Sequence, residues 1–159
     1  MIRLKRILAL GIAVTVLPLV GAACGTEHAQ VPHSDPAYAS DQAAAQLFNQ
    51  RCGGCHTLSY AGTQGSGANP RTYLSISGPN FNVRCERPAI RVYYALINGG
   101  FSGAYMPANI AVGEQARELA NFVAEYAGRK APRQPGVEQC KDKSLGALPL
   151  TGSLPTAGN

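Results

Sequence analysis

Residues 52–56 read Cys-Gly-Gly-Cys-His, and these five residues restrict the rest of the chain more than any others. Two thiols separated by two residues lie about one helical turn apart, so both can bond to one flat ring system. The histidine that follows then holds its imidazole beside the same ring. C-x-x-C-H is the attachment motif of c-type haem, which predicts that Cys52 and Cys55 bind the haem covalently and that His56 binds its iron.

Two other kinds of site use part of this motif. A redox-active C-x-x-C of the thioredoxin type needs a βαβ context, whereas the preceding residues 41–52 have the pattern of an amphipathic helix. A zinc site needs a second ligand pair at similar spacing, and the remaining cysteines of the domain, Cys85 and Cys140, lie far apart in sequence. Both alternatives stay open, but haem attachment fits the residues better.

The first 23 residues have the composition of an export signal. Three basic residues precede an apolar run over residues 7–20, which is shorter than the roughly 20 residues that span a bilayer. The run leads into Gly-Ala-Ala-Cys, which resembles the bacterial lipobox and predicts acylation of Cys24 as the first residue of the mature protein. Gly21 stands where leucine is usual, so ordinary cleavage and an uncleaved anchor remain alternatives. We expect a lipid-anchored domain that faces the periplasm or another extracytoplasmic space.

The formal net charge of +5 overstates the basic character of the mature protein. Three of the 14 Lys and Arg residues lie in the predicted signal, which leaves 11 against 9 Asp and Glu, a net charge of +2. Nucleic-acid-binding domains carry clustered basic residues and a higher pI. We therefore expect no nucleic-acid partner.

The five cysteines can each be given a role. Cys24 is assigned to the lipid, and Cys52 and Cys55 to the haem, which leaves Cys85 and Cys140. In an oxidising compartment two remaining thiols most simply pair, so a disulfide is predicted, with unpaired thiols as the alternative.

Three helical segments are predicted, at residues 41–52, 88–97 and 114–127. Asp41 is the predicted N-cap of the first, and Pro88 the first residue of the second. Glycines follow the second and third segments, as is typical of helix ends. Apolar residues recur at helical spacing in each segment: Ala44, Leu47 and Phe48; Ile90, Tyr94 and Ile97; Leu119, Phe122, Val123 and Tyr126.

The remaining segments lack periodicity. We expect a signal over residues 1–23, a flexible tether over 24–40, a folded domain over 41–129 and an irregular tail over 130–159 that Cys140 could pin. Residues 57–87 are rich in Gly, Ser and Pro, and this segment is longer than a loop without secondary structure usually is in a compact domain. A bound haem would fill the space beneath them.

Over residues 41–129 the chain resembles the class I cytochrome c family. The resemblance rests on the following residues, in this order: Ala44 and Phe48, the C-x-x-C-H motif, Gly78-Pro79-Asn80, Asn98-Gly99, Met106-Pro107, and Leu119, Phe122 and Val123. It implies an all-α fold of the cytochrome c type, with three main helices around one haem c. The first and last helices should cross near Phe48 and Phe122.

The resemblance also implies roles around the haem. The carbonyl of Pro79 should accept the N–H of the His56 imidazole and fix the ring. Haem propionates need hydrogen-bond donors. Six residues are candidates for that contact: Tyr73, Tyr94, Tyr105, Arg84, Arg87 and Arg91.

The second axial ligand follows from elimination. Of two methionines, Met1 leaves with the signal, so Met106 is the remaining thioether. The other imidazoles, His28 and His33, lie in the predicted tether. Met106 could instead fill a gap in the core, but its place in an irregular Gly-Ala-Tyr-Met-Pro stretch favours ligation of the iron.

Iron bound by His and Met has no open position for a substrate, so the expected function is electron transfer and not enzyme catalysis. The partners would be redox proteins of a respiratory chain, such as a quinol-oxidising complex or a terminal oxidase. Two alternatives remain: a fixed haem subunit of a larger complex, and a haem sensor or enzyme in which Met106 detaches.

Overall fold

Three helices and little strand make up the computed structural model, which describes residues 28–65, 78–101 and 105–155. Helix α1 spans Tyr38–Cys52, α2 spans Ala89–Asn98 and α3 spans Gly113–Tyr126. The prediction of a mainly helical fold with three helices is therefore confirmed. The predicted signal and Cys24 lie outside the described residues.

Helix α1 begins earlier than predicted, so Asp41 is not its N-cap. The backbone N–H of Ala37 donates to the carboxylate of Asp35 at 3.0 Å, and this turn starts the helix three residues before Asp41. Asp41 lies in the first turn of α1, where its carboxylate accepts the Tyr126 hydroxyl at 2.8 Å. The spacing of apolar residues could not reveal this start, because Asp41 in the first turn contacts the Tyr126 hydroxyl and not the apolar core.

The buried face of helix α2 differs in part from the predicted one, since Ile90 and Ile97 pack partly buried against the core but Tyr94 does not. Its buried residues are Ala89, Val92 and Leu96, whereas Tyr94 is exposed. The two polar residues of this helix, Arg91 and Asn98, lie two helical turns apart on one face, and the buried residues lie on the opposite face. Pro88 precedes the helix, which begins at Ala89. The helix ends at glycines: Gly99 has φ +78°, and the N–H of Gly100 donates to the Ala95 carbonyl at 2.8 Å.

The core lies where α3 packs against the other two helices. All four apolar residues predicted for the buried face of α3 are buried. The rings of Phe48 and Phe122 lie 6.3 Å apart between α1 and α3, and Tyr126 lies 4.9 Å from Phe122. Aromatic side chains of this size contribute much of the apolar area that a small domain buries.

A small hairpin follows the C-x-x-C-H motif. Strands β1, Thr57–Leu58, and β2, Thr63–Gln64, pair antiparallel around a 3₁₀ turn at Ser59–Ala61. The hydroxyl of Thr63 donates to the His56 carbonyl at 2.9 Å and accepts the Leu58 N–H at the same distance. The hairpin thus fixes the backbone immediately after the motif, within a segment predicted as loop.

Both flanking segments pack on the helices. In the predicted tether, Val31 is buried and the N–H of Gln30 donates to the Tyr60 carbonyl at 3.0 Å, so the described residues 28–40 belong to the folded domain. In the predicted tail, Leu148 is buried and exchanges two hydrogen bonds with the Asn121 side chain. The sequence did not predict these contacts, because isolated apolar residues in irregular segments carry no periodic signal.

Cys85 and Cys140 form a disulfide with Cα atoms 5.3 Å apart, which joins the tail to the segment before α2. Apart from a 3₁₀ turn at Cys140–Asp142, the described tail is irregular. No helix among the described residues is long and apolar enough to cross a membrane.

Candidate cofactor site

A cavity of about 430 Å³ opens between the end of α1, the inner sides of α2 and α3, and the segment from residue 105 to 110. This volume falls within the range of roughly 300–1,000 Å³ that is typical of small-molecule and cofactor sites. The wall contains all five residues predicted to hold the haem: Cys52, Cys55, His56, Pro79 and Met106. Much of the rest is apolar and includes Phe48, Phe81, Val92, Leu96, Leu119 and Val123.

The end of α1 brings the motif to the cavity. The helix ends at Cys52, and the next turn is closed by the His56 N–H, which donates to the Cys52 carbonyl at 2.9 Å. Cys52 is buried and Cys55 is exposed, and both are free thiols. Burial raises the pKa of the Cys52 thiol to about 11, so this thiol is protonated at neutral pH.

The His56 ring is oriented by its neighbours. Its Nδ1 lies 3.2 Å from the Pro79 carbonyl oxygen; when Nδ1 carries the proton and donates it there, Nε2 keeps a lone pair for a metal. Burial lowers the pKa of His56, opposed by the Pro79 hydrogen bond, and the positive charge of Arg84 lowers it further. The ring is therefore held in the neutral form that binds metals.

Two residues that sequence reasoning did not assign to the site pack directly on this ring. Phe81 stacks on His56 with centroids 4.6 Å apart and planes 6° from parallel. Gly78 approaches even more closely, because a Cβ atom at that position would lie 2.4 Å from Cε1 of the imidazole. In the Gly-Pro pair, Pro79 thus provides a carbonyl acceptor for the imidazole, and Gly78 leaves room for the ring because it has no side chain.

Met106 reaches the cavity from the segment that follows α2. The N–H of Asn109 donates to the Ile97 carbonyl at 3.0 Å, which ties this segment to the end of the helix. A Cβ atom at Gly100 would lie 3.6 Å from the Met106 sulfur, so the sulfur packs against this glycine. His28 and His33 do not contribute to the cavity wall.

The candidates for propionate contact separate into groups. Arg84 and Tyr105 line the cavity, whereas Tyr94, Arg87 and Arg91 do not. Tyr73 lies outside the described residues. Two charged wall residues, Arg51 and Glu86, were not predicted, since no pattern in the sequence distinguishes them from surface charges.

The two alternative readings of the motif find little support. Among the described residues, no group of three or more His, Cys, Asp and Glu side chains could hold a metal ion, and Cys85 and Cys140 are bonded to each other. A helix, and not a strand, leads into Cys52. This context differs from that of a thioredoxin-like dithiol.

Comparisons with protein-family models, with curated proteins and with solved structures find no match to this chain. The residues around the cavity are therefore the basis for inferring a function.

Proposed function

We propose that this protein is an electron carrier that holds one haem c in the cavity, bound through Cys52 and Cys55 and ligated by His56 and Met106. The observation that carries the proposal is that residues separated by 50 positions in sequence, His56 and Met106, line one largely apolar cavity together with both cysteines of the motif. An isolated C-x-x-C-H would carry much less weight, because short motifs recur by chance.

The donor set fits this cofactor. Imidazole and thioether are the axial ligands of electron-transferring cytochromes c, and apolar surroundings with a fixed proximal ring are typical of such sites. Haem supplies reversible one-electron oxidation of its iron when bound. The chain's own residues would orient the ring at His56, exclude water with Phe48, Phe81 and Leu119, and leave no open ligand position.

The proposed location is the outer face of a membrane. Its support is the basic and apolar signal-like segment before Cys24 and the Cys85–Cys140 disulfide, which is typical of oxidising compartments. A lipid at Cys24 would confine the protein near membrane-bound redox partners and raise their effective concentration.

The test is to produce the protein in a host with c-type haem maturation and to measure haem content, intact mass and the visible spectrum. We expect one covalent haem with the signature of Met/His ligation. Met106→Ala should lose that signature but keep the haem. Ile110→Ala is the matched control, since Ile110 lines the same cavity from the same segment but cannot ligate iron.

Absence of haem from the purified wild-type protein would refute the proposal. Retention of the Met/His signature in Met106→Ala would refute the ligand assignment. Carbon monoxide tests the sensor alternative, because a stably six-coordinate iron should respond little. Purification from native membranes separates a free carrier, which travels alone, from a fixed subunit, which remains with larger proteins.

A further inference from the structure

The segment Arg84-Cys85-Glu86-Arg87 presents alternate side chains to two different surroundings. Arg84 and Glu86 line the cavity. Cys85 and Arg87 instead contact the tail and, through Arg87, the end of α3. Such alternation is expected of extended backbone, in which successive side chains point to opposite sides. The segment therefore connects the body of the domain to the cavity wall.

The side that contacts the body is held by many bonds. Cys85 is covalently joined to Cys140. The Arg87 guanidinium donates to four carbonyls, those of Ala124 at 2.8 Å, Glu125 at 3.2 Å, Cys140 at 2.8 Å and Lys143 at 3.0 Å. Arg87 thus directs its hydrogen bonds away from the cavity, and the segment is fixed at Cys85 and at Arg87, the two neighbours of Glu86.

The cavity side carries an ion pair of unequal exposure. Arg84 Nε lies 2.5 Å from Glu86 Oε1, and the Glu86 side chain is 12% exposed whereas that of Arg84 is 53% exposed. The mostly buried carboxylate is the fixed member, and the arginine is the member that could otherwise extend into solvent. Because the pair uses Nε, the terminal NH₂ groups of Arg84 remain able to donate to a second acidic group.

From this arrangement we infer that Glu86 positions Arg84 to neutralise an acidic group of the molecule bound in the cavity. The inference rests on the function proposed above, in which that group is a haem carboxylate. Glu86 is then a positioning residue, and the arginine is the residue that touches the cofactor. A guanidinium paired on both edges by carboxylates is a strong, directional arrangement.

The midpoint potential of the bound haem reports the position of the Arg84 charge. A nearby cation favours the reduced state, in which the iron carries one positive charge less, so Arg84→Gln should lower the potential. If Glu86 holds the arginine, Glu86→Gln releases Arg84 into solvent. The Glu86→Gln variant and the double variant should then have the same potential.

The experiment is a double-mutant cycle on the haem-loaded protein, with Arg84→Gln, Glu86→Gln, both together, and Arg133→Gln as an exposed control outside the cavity wall. Haem content and the Met/His signature are measured first. We expect Arg84→Gln to lower the potential in the presence of Glu86 and to have no effect in its absence. The control should match the wild type.

Equal lowering by Arg84→Gln in both backgrounds would show that the charges act independently, and the positioning role would be rejected. A potential in Arg84→Gln equal to that of the Arg133→Gln control would reject the contact of Arg84 with the cofactor. In both cases haem remains bound, so the proposed function stands. A wild-type protein without haem would instead refute the proposed function itself.

Discussion

The close approach of Gly78 to the imidazole of His56 gives a sharp test of the site. A Cβ atom at Gly78 would lie 2.4, 2.6 and 2.8 Å from Cε1, Nδ1 and Nε2 of His56, where ordinary contacts begin at 3.4 Å. In Gly78→Ala the ring or the backbone must therefore move by about 1 Å. The ring cannot move without cost, because it stacks on Phe81 and its Nδ1 bonds to the Pro79 carbonyl.

The size of the effect follows from these contacts. Overpacking a tight site costs about 1–3 kcal/mol, and a weakened imidazole hydrogen bond costs about 1 kcal/mol more. Replacing glycine by alanine returns about 0.4–1 kcal/mol by restricting the unfolded chain. Gly78→Ala should thus lower the free energy of unfolding by about 1–3.6 kcal/mol.

Gly54→Ala is the matched control. Gly54 lies within the same C-x-x-C-H motif, but a Cβ atom there would meet no atom within 4 Å. Under the proposed function, the free energy of unfolding is measured by guanidinium denaturation of the haem-loaded proteins, and the spectrum reports the proposed His56–iron bond. Gly54→Ala should lie within about 0.5 kcal/mol of the wild type. Equal stability and equal spectra for the two variants would refute the argument from close packing.

Further predictions concern the flanking segments. Cys85→Ser with Cys140→Ser opens a link between residues 55 positions apart, which should lower the free energy of unfolding by up to about 4 kcal/mol in denaturant titrations. The two carboxylates at the Tyr126 hydroxyl should respond oppositely to neutralisation. The hydrogen bonds from the Ala37 N–H and then from the Tyr126 hydroxyl lower the pKa of Asp35. The ionised Asp35 therefore stabilises the fold above pH 3.8, and this stabilisation is lost as the pH falls below that value. Asp35→Asn should thus destabilise the protein at pH 7. Burial raises the pKa of Asp41, so its ionisation destabilises the fold as the pH rises through this raised value. Asp41→Asn should thus stabilise the protein at pH 7. Thermal melting of both variants at pH 7 and pH 3 tests the two opposite changes in stability.

The sequence predicted those parts of the fold in which one pattern dominates. The buried face of α3 followed from Leu119, Phe122 and Val123, because polar residues occupy the opposite face. In helix α2 the polar residues Arg91 and Asn98 also mark one face, but Tyr94, which lies on the side of Arg91, was assigned to the buried face instead of Val92. The spacing of apolar residues thus predicted where α2 and α3 lie, but the buried face is selected only when the positions of the polar residues are also used.

The site shows the same division between local and non-local information. Cys52, Cys55 and His56 form a local motif, and Met106 could be reached by elimination, so their common place at one cavity was predictable. Glu86 was not, because its relation to the cavity depends on how Cys85 and Arg87 are anchored on other elements. Charged residues in irregular segments give no sign in sequence of which side they will face.

The packing of residues 28–40 on the domain limits how far a lipid at Cys24 would let the domain move from the membrane. If residues 25–40 were a free tether, a lipid at Cys24 would let the domain move up to about 55 Å from the membrane, at about 3.3–3.6 Å per residue. Because Val31 is buried and Gln30 bonds to Tyr60, residues 28–40 do not add to this reach, and the four residues from Cys24 to His28 span at most about 14 Å when fully extended. Under the proposed function, the cavity would then meet partners in a narrow layer at the membrane surface and from a restricted range of orientations. This geometry favours partners whose docking face lies close to the bilayer over partners that extend far from it.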